Sequence, residues 1–264
     1  MSARRRYVDT ALGQLHLVEC GAGPPVLFLH QTPRSWHEYA GVLPLVGRRT
    51  RAMAMDTIGF GQSARVTDPW SIGLFADGVE ALLDALDLPS VTLVGNHTGA
   101  VVAVEVAARA AERVSALVLC GMPYVDEARR RRVRAQPPID HVEPRADGTH
   151  LTELWSRRRG FYSPGEERYL TRFVADALEV ADRVEEGHVR VNEYRMEDRL
   201  PLVRARTLVL CGADDRYSLP DVPILSRLLD CCSVVLADGG VALPEQRPEA
   251  FAREVLAFLG HAER

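Results

Sequence analysis

The sequence contains no lysine: all 32 of its basic residues are arginine. A phosphate-binding loop of the Gly-x-x-x-x-Gly-Lys type is therefore excluded. Against 36 acidic residues the net charge is −4, which makes no electrostatic case for nucleic acid. No stretch approaches the roughly 18 consecutive apolar residues of a membrane span. The basic opening Met1-Ser2-Ala3-Arg4-Arg5-Arg6 runs into a strand-like stretch instead of the apolar core of a signal peptide, so a cytoplasmic location is expected. Cysteine occurs five times, at Cys20, Cys120, Cys211, Cys231 and Cys232. The number is odd, the spacing is not that of metal ligands, and three of them close apolar runs, so buried reduced thiols are expected. Histidines and carboxylates show no metal-ligand spacing on a helix. In Gly21-Ala22-Gly23-Pro24-Pro25 the prolines remove the amides a dinucleotide loop needs. These absences leave a small-molecule substrate, with no metal, cofactor, membrane or nucleic acid; a homo-oligomer is compatible with them.

What is present is the composition of a packed globular protein, 47% hydrophobic and 26% charged, on a length that suits one α/β domain carrying an insertion. Short apolar runs alternate with helical periodicity, the pattern of a largely parallel sheet covered by helices. Strands are expected at 14–20 (alternating, as at an edge), 26–29, 51–55, 91–95, 114–120, 207–211 and 233–236. Helices are expected at 36–46, 71–87 and 98–111, and around Phe251, Val255, Phe258 and Leu259. Ile72, Phe75, Val79, Leu82, Leu83 and Leu86 fall at steps of three and four and give the second helix its apolar face. Between Gly121 and Arg206 the alternation stops. That interval has no strong strand, many arginines, and one clear helical stripe formed by Leu170, Phe173, Val174, Ala177, Leu178 and Ala181. A structureless loop of this length would be unusual. Residues 122–204 are therefore expected to form a helical cap, inserted between the two parts, 1–121 and 205–264, of a core domain. The runs Arg129–Arg132 and Arg157–Arg159 are expected on solvated helix faces, with a carboxylate-binding mouth as the sharper alternative.

The segment Val91-Thr92-Leu93-Val94-Gly95-Asn96-His97-Thr98-Gly99-Ala100 carries the most chemistry. A buried strand passes straight into an apolar helix through Gly-x-His-x-Gly. Such a turn is so tight that the positions two before and two after its centre have no room for a Cβ, and the central residue is strained with its side chain displayed. Histidine is among the few non-glycine residues enriched at positive φ. Four further motifs surround this one in chain order. They are His30-Gln31-Thr32-Pro33-Arg34-Ser35, Asp56-Thr57-Ile58-Gly59-Phe60-Gly61-Gln62-Ser63, Leu208-Val209-Leu210-Cys211-Gly212-Ala213-Asp214-Asp215, and Asp238-Gly239-Gly240-Val241-Ala242-Leu243-Pro244-Glu245. Together the five resemble the α/β-hydrolase superfamily over almost the whole chain. The resemblance implies an α/β-hydrolase fold: a mostly parallel eight-stranded sheet flanked by helices, with a helical cap. It places the triad acid at Asp215 and the oxyanion-hole amides at Thr32 and Thr98. Where the family carries its nucleophilic serine and its triad histidine, this sequence has His97 and Val241.

A hydroxyl nucleophile and its base are thus both missing from their usual places. Thr98 belongs to the helix and is β-branched. His141, His150 and His188 lie in the inserted interval and His261 in the tail, none of them in the usual loop. An imidazole at 97 reaches further than a serine hydroxyl, and valine at 241 leaves it room to lean on Asp215, directly or through one water. The other ring nitrogen would then face the pocket. Imidazole titrates near neutrality and suits a general base. Beside two oxyanion amides it can take a proton next to a carbonyl. The expected activity is a cofactor-independent, non-hydrolytic reaction (lyase, decarboxylase, isomerase, cyclase or oxygenase type) on a small, largely apolar carbonyl compound. The alternatives are hydrolysis of an ester, thioester or lactone by His97-activated water or a covalent histidine, and a ligand-binding pseudo-hydrolase without turnover. His30, Gln31, Trp36, Tyr124 and Val241 are candidates to line the pocket. His30 reads first as a structural histidine below the oxyanion loop, and Trp36 and His37 as packing residues.

Overall fold

The computed structural model describes residues 3–134 and 136–260; His261 lies outside the described residues. In chain order the strands are β1 (Arg4–Thr10), β2 (Gly13–Cys20), β3 (Pro25–Leu29), β4 (Arg51–Met55), β5 (Val91–Asn96), β6 (Val114–Cys120), β7 (Arg206–Gly212) and β8 (Cys232–Leu236). The α-helices are α1 (Leu43–Val46), α2 (Ile72–Ala85), α3 (Thr98–Arg109), α4 (Glu127–Val133), α5 (Thr149–Arg159), α6 (Glu167–Leu178), α7 (Val184–Glu193), α8 (Val222–Leu228), α9 (Leu243–Gln246) and α10 (Pro248–Phe258). The strands form one sheet in the order β1-β2-β4-β3-β5-β6-β7-β8. Only the β1–β2 and β2–β4 pairings are antiparallel; from β4 to β8 every pairing is parallel.

Burial explains which strands announce themselves. The central β5 is buried at every position, and β3, β4 and β6 at all but one, because helices cover both faces of the sheet. On one face α2 and α3 pack in the larger apolar cluster. On the other, Tyr39, Leu43 and Val46 meet Phe251 and Val255 of α10. Helix α2 begins where Ser71 caps it by accepting the Leu74 amide at 2.9 Å.

Several expectations are corrected. The alternating strand β2 is not at the edge. Outside it lies β1, whose only buried residue is Val8 and which therefore carries almost no apolar signal. The helix expected at 36–46 is broken into a 3₁₀ turn, Trp36–Tyr39, and the short α1, with Pro44 in the first turn of α1. None of the five cysteines is paired, but only Cys20, Cys120 and Cys211 are buried. Cys231 is half-buried, and Cys232 is exposed because β8 forms the other, thinly covered edge.

Between β6 and β7 the chain runs through α4 to α7 and two 3₁₀ turns without adding a strand. The apolar stripe of α6 buries Leu170, Phe173 and Ala177, whereas Leu178 is exposed and Ala181 lies beyond the helix. The buried face of α6 also contains Asp176, and that carboxylate meets a guanidinium from the sheet side. Arg34, fully buried, donates from Nε to Asp176 at 3.0 Å and from Nη1 and Nη2 to the two oxygens of Glu245 at 2.6 and 2.8 Å. One arginine thereby joins the loop after β3, helix α6 and helix α9. Arg34→Met leaves two buried carboxylates without their counter-charge and is expected to cost about 3–5 kcal/mol in a urea titration followed by circular dichroism. Adding Asp176→Asn and Glu245→Gln should recover part of that loss.

Candidate active site

The centre of the site is the turn from β5 into α3. A Cβ on Gly99 would lie 1.9 Å from the Leu29 carbonyl oxygen, and one on Gly95 would lie 2.3 Å from Gly99 backbone atoms. Nothing larger than glycine fits at either place. Between them His97 has φ 45° and ψ −108°, a conformation that side chains rarely adopt. Its amide donates to the Cys120 carbonyl at 2.9 Å, which fixes the turn against the end of β6.

From this turn the imidazole reaches Asp215, which follows β7. Nε2 of His97 is 2.9 Å from Oδ2 of Asp215. Distance and direction disagree here, because the Nε2–H bond does not point at Oδ2 and neither atom has another partner. We read the pair as a close electrostatic contact that a rotation of the ring turns into a hydrogen bond. Asp215 is held firmly: its Oδ1 accepts the amides of Tyr217 and Ser218 at 3.1 and 3.2 Å. Burial alone would raise its pKa; the adjoining His97 ring, aided by these amides, outweighs burial and keeps it below the ordinary carboxylate value. The His97 side chain is 16% exposed, against 1% for Asp215, and among the described residues its Nδ1 has no partner. The carboxylate is sealed and the ring is not.

Room for this contact comes from a residue that no motif identified. Gly121, at φ 52°, ends β6, and a Cβ there would lie 2.6 Å from His97 Nε2 and 3.0 Å from Asp215 Oδ2. The space the imidazole occupies is therefore partly the missing side chain of Gly121, besides any left by Val241.

The oxyanion loop differs from expectation. The Thr32 amide is not free: it donates to Oγ1 of Thr98 at 3.2 Å, and the Thr32 side chain packs under Gly187 of α7. Thr98, as the first residue of α3, has no acceptor for its own amide inside the helix. One of the two anticipated donors is thus engaged internally, because a threonine after the turn brings an acceptor to the neighbouring loop.

The remaining candidates divide by how fully they are bonded. His30 uses both ring nitrogens: Nε2 accepts the Thr57 amide at 3.0 Å, so Nδ1 carries the proton and donates to the Gln31 carbonyl at 2.9 Å. It is a structural strut. Gln31 and Asn96 both donate to the fully buried Glu38 and to the Val241 carbonyl, tying the loop after β3, the turn and the Val241 loop together. Trp36 is buried in the core, its amide on Asp56, and His37 stacks on it; burial, with Arg172 nearby, lowers the His37 pKa to about 4. Tyr124 is half-buried beside the core, its amide on Asp221. Glu38 escaped notice because a lone glutamate in a short amphipathic stretch carries no motif.

Arg158 was expected on a solvated face and is buried instead. With His188 it clasps Asp140: Nε and Nη2 of Arg158 donate to the two carboxylate oxygens, and His188 Nε2 lies 2.7 Å from Oδ2. The other arginines of the two runs are partly or fully exposed, and four of them are paired: Arg129 with Asp221, Arg130 with Glu197, Arg131 with Glu127 and Arg157 with Glu153. A separate groove of about 550 Å³, lined among others by Trp70, Glu105, Tyr194 and Arg199, does not involve the turn.

A model of the alpha/beta hydrolase family matches residues 26–254. The chain belongs to that family. It is 34% identical over 162 residues to a haloalkane dehalogenase of Agrobacterium fabrum, covering 57% of this chain and 53% of that one. It is 27% identical over 221 residues to the 2-hydroxy-6-oxo-2,4-heptadienoate hydrolase of Pseudomonas putida, covering 77% and 76%. The chain thus spans about half the length of the dehalogenase it matches. Among solved structures, the enol-lactonase from Burkholderia xenovorans superposes with a TM-score of 0.78 at 18% identity, over 97% of this chain and 100% of that one. No helix among the described residues is long and apolar enough to cross a membrane.

Two measurements check this geometry. Gly121→Ala places a methyl group in the His97–Asp215 contact at a positive φ. The His97 ring is expected to be displaced, and its imidazole NMR signal to lose its dependence on Asp215→Asn. Separately, His188 and Arg158 overcome the effect of burial on Asp140 and hold its pKa at about 2. A depressed carboxylate pKa stabilises the fold above the unfolded value near 4, and the contribution fades as pH falls through about 2. Asp140→Asn should therefore lower stability by at least about 2 kcal/mol at pH 7, with the difference shrinking steadily below about pH 4.

Proposed function

We propose that His97 is the general base of a cofactor-independent enzyme, and that it removes a proton next to a carbonyl group of a small substrate. The observation that carries this reading is the contact of His97 with sealed Asp215, made by a residue displayed at the strained turn where the family presents its reacting side chain. Asp215 favours the tautomer with hydrogen on Nε2, which leaves the Nδ1 lone pair available. Residues 122–204 would cover the turn as a fixed cap, with Gly187 resting on Thr32. The carbanion or enolate formed would face the Thr98 amide. Elimination, isomerisation and cyclisation can begin with that proton transfer, and the same site would stabilise the enolate released in decarboxylation or in retro-aldol cleavage, where the base takes the hydroxyl proton; none requires a nucleophilic hydroxyl.

Hydrolysis is the second reading, and the relatives favour it: both proteins matched above by sequence are named for cleaving their substrates, and one acts on a 2-hydroxy-6-oxo dienoate. Here His97 would activate water against a carbonyl carbon. Thr98 is no substitute for serine, since its Oγ1 is buried and accepts the Thr32 amide.

Incubating the enzyme with a panel of 2-oxo acids, β-keto acids, β-hydroxy ketones and p-nitrophenyl esters, with mass spectrometry of the products, separates the two. A product without added water supports the first reading and an added water the second. In either case His97→Ala should lower kcat/KM by about 10²–10⁴. Full turnover by that variant would remove His97 from the mechanism.

A further inference from the structure

A base that removes a proton beside a carbonyl works only if donors meet the oxygen that gains charge. In the core that provision is thin, since the Thr32 amide is already given to Thr98. The helical segment above the turn holds further donors. On one side of the site Gly187 of α7 rests on the Thr32 side chain, 2.6 Å from Cγ2 to a Cβ built there. On the other side Phe161 stacks on Tyr217, two residues beyond Asp215, with ring centroids 5.6 Å apart. Arg158 links the two sides. Its guanidinium lies over Phe161 and Phe173 at 5.0 and 4.8 Å, and its Nη2 is 3.4 Å from Nε2 of His188, the neighbour of Gly187.

Arg158 and His188 thus span the roof of the site, both fastened to the sealed carboxylate of Asp140. The Arg158 side chain is only 8% exposed, yet its Nη1 has no hydrogen-bond partner among the described residues, and neither has Nδ1 of His188. Neither atom is among the fully enclosed polar atoms. A guanidinium so deeply placed with one open edge is set up to receive an acceptor.

We propose that Arg158 Nη1 and His188 Nδ1 bind an anionic oxygen of the substrate, an enolate or a carboxylate, above His97. This rests on the assignment of His97 as the base and narrows the substrate to carbonyl compounds that carry or develop a negative oxygen near the abstracted proton, such as 2-oxo acids and their enols. With Nε2 on Asp140, Nδ1 of His188 donates to the anion from the imidazolium form of the ring. The charged groups around that ring are Asp140 and Arg158. Glu185 on the same helix is turned to the amides of residues 139–141.

Oxalate, a planar dianion shaped like the enolate of a 2-oxo acid, is the probe, and neutral oxamide the control. The full chain is titrated by imidazole NMR, with the His97 and His188 signals assigned from His97→Gln and His188→Gln. Oxalate is expected to move both signals with one dissociation constant, and oxamide neither at the same concentration. Arg158→Gln should weaken oxalate by about tenfold or more, and His188→Gln by roughly three- to tenfold. If Arg158→Gln does not fold, Arg158→Lys, which keeps the charge but not the fork, should show a similar weakening. Oxalate that moves His97 alone, or binds the variants with unchanged affinity, overturns the roof pair and leaves His97 standing. Binding that moves neither ring also overturns it, while the fate of His97 as the base is read separately from turnover by His97→Ala.

Discussion

Where β3, β5 and the first turn of α3 meet, main chain lies on main chain. The Leu29 carbonyl stands where Gly99 would carry a Cβ, and Gly99 stands where Gly95 would. With both flanks reduced to bare backbone, the residue between them has one course, a left-handed φ that costs of the order of 1–3 kcal/mol and persists because the sheet around it leaves no alternative. The side chain at 97 is displayed whatever its chemistry. An imidazole can therefore occupy this position without disturbing the sheet.

Displaying a larger group needs space and support. Space comes from Gly121 at the end of the adjacent strand, and support from Asp215, whose other oxygen is pinned by two amides. Around this centre the loops are joined by buried charges instead of apolar contacts. Glu38 gathers Gln31 and Asn96, which also hold the Val241 carbonyl; Asp56 gathers His16, the Trp36 amide and the Gln62 amide. Each carboxylate is satisfied by several donors, which is the condition under which burying one is tolerable. These networks fix loop positions to within a hydrogen-bond length, a tighter tolerance than packing of aliphatic side chains provides.

Much of this was readable along the chain. The strands 51–55 and 114–120 stand in the structure with the same limits as in the sequence, because strands covered on both faces are continuous apolar runs. The turn at His97 was readable because two glycines at fixed spacing encode a steric fact. Strand β1 was not, since an edge strand with one buried side chain leaves no pattern. Three of the four helices between β6 and β7 escaped for a related reason: where α5 and α7 face the interior they do so partly with Arg158 and His188, and a charged residue reads as solvated until its partner is known. That partner, Asp140, is 18 residues from one and 48 from the other. Gly121 likewise has no meaning until the fold brings His97 and Asp215 to either side of it.

Arg34 bears on how anything reaches His97. Its fork holds Glu245 on the sheet side and its remaining edge holds Asp176 on α6, all three out of contact with solvent. Swinging α6 outward as a hinged door would strand a guanidinium and two carboxylates in a dry seam, so the helices above the turn are bolted, not hung. Smaller parts are free of that bolt, such as the stacked rings of Phe161 and Tyr217, where Tyr217 is 59% exposed, so access to the base proposed above falls to side chains and not to whole helices.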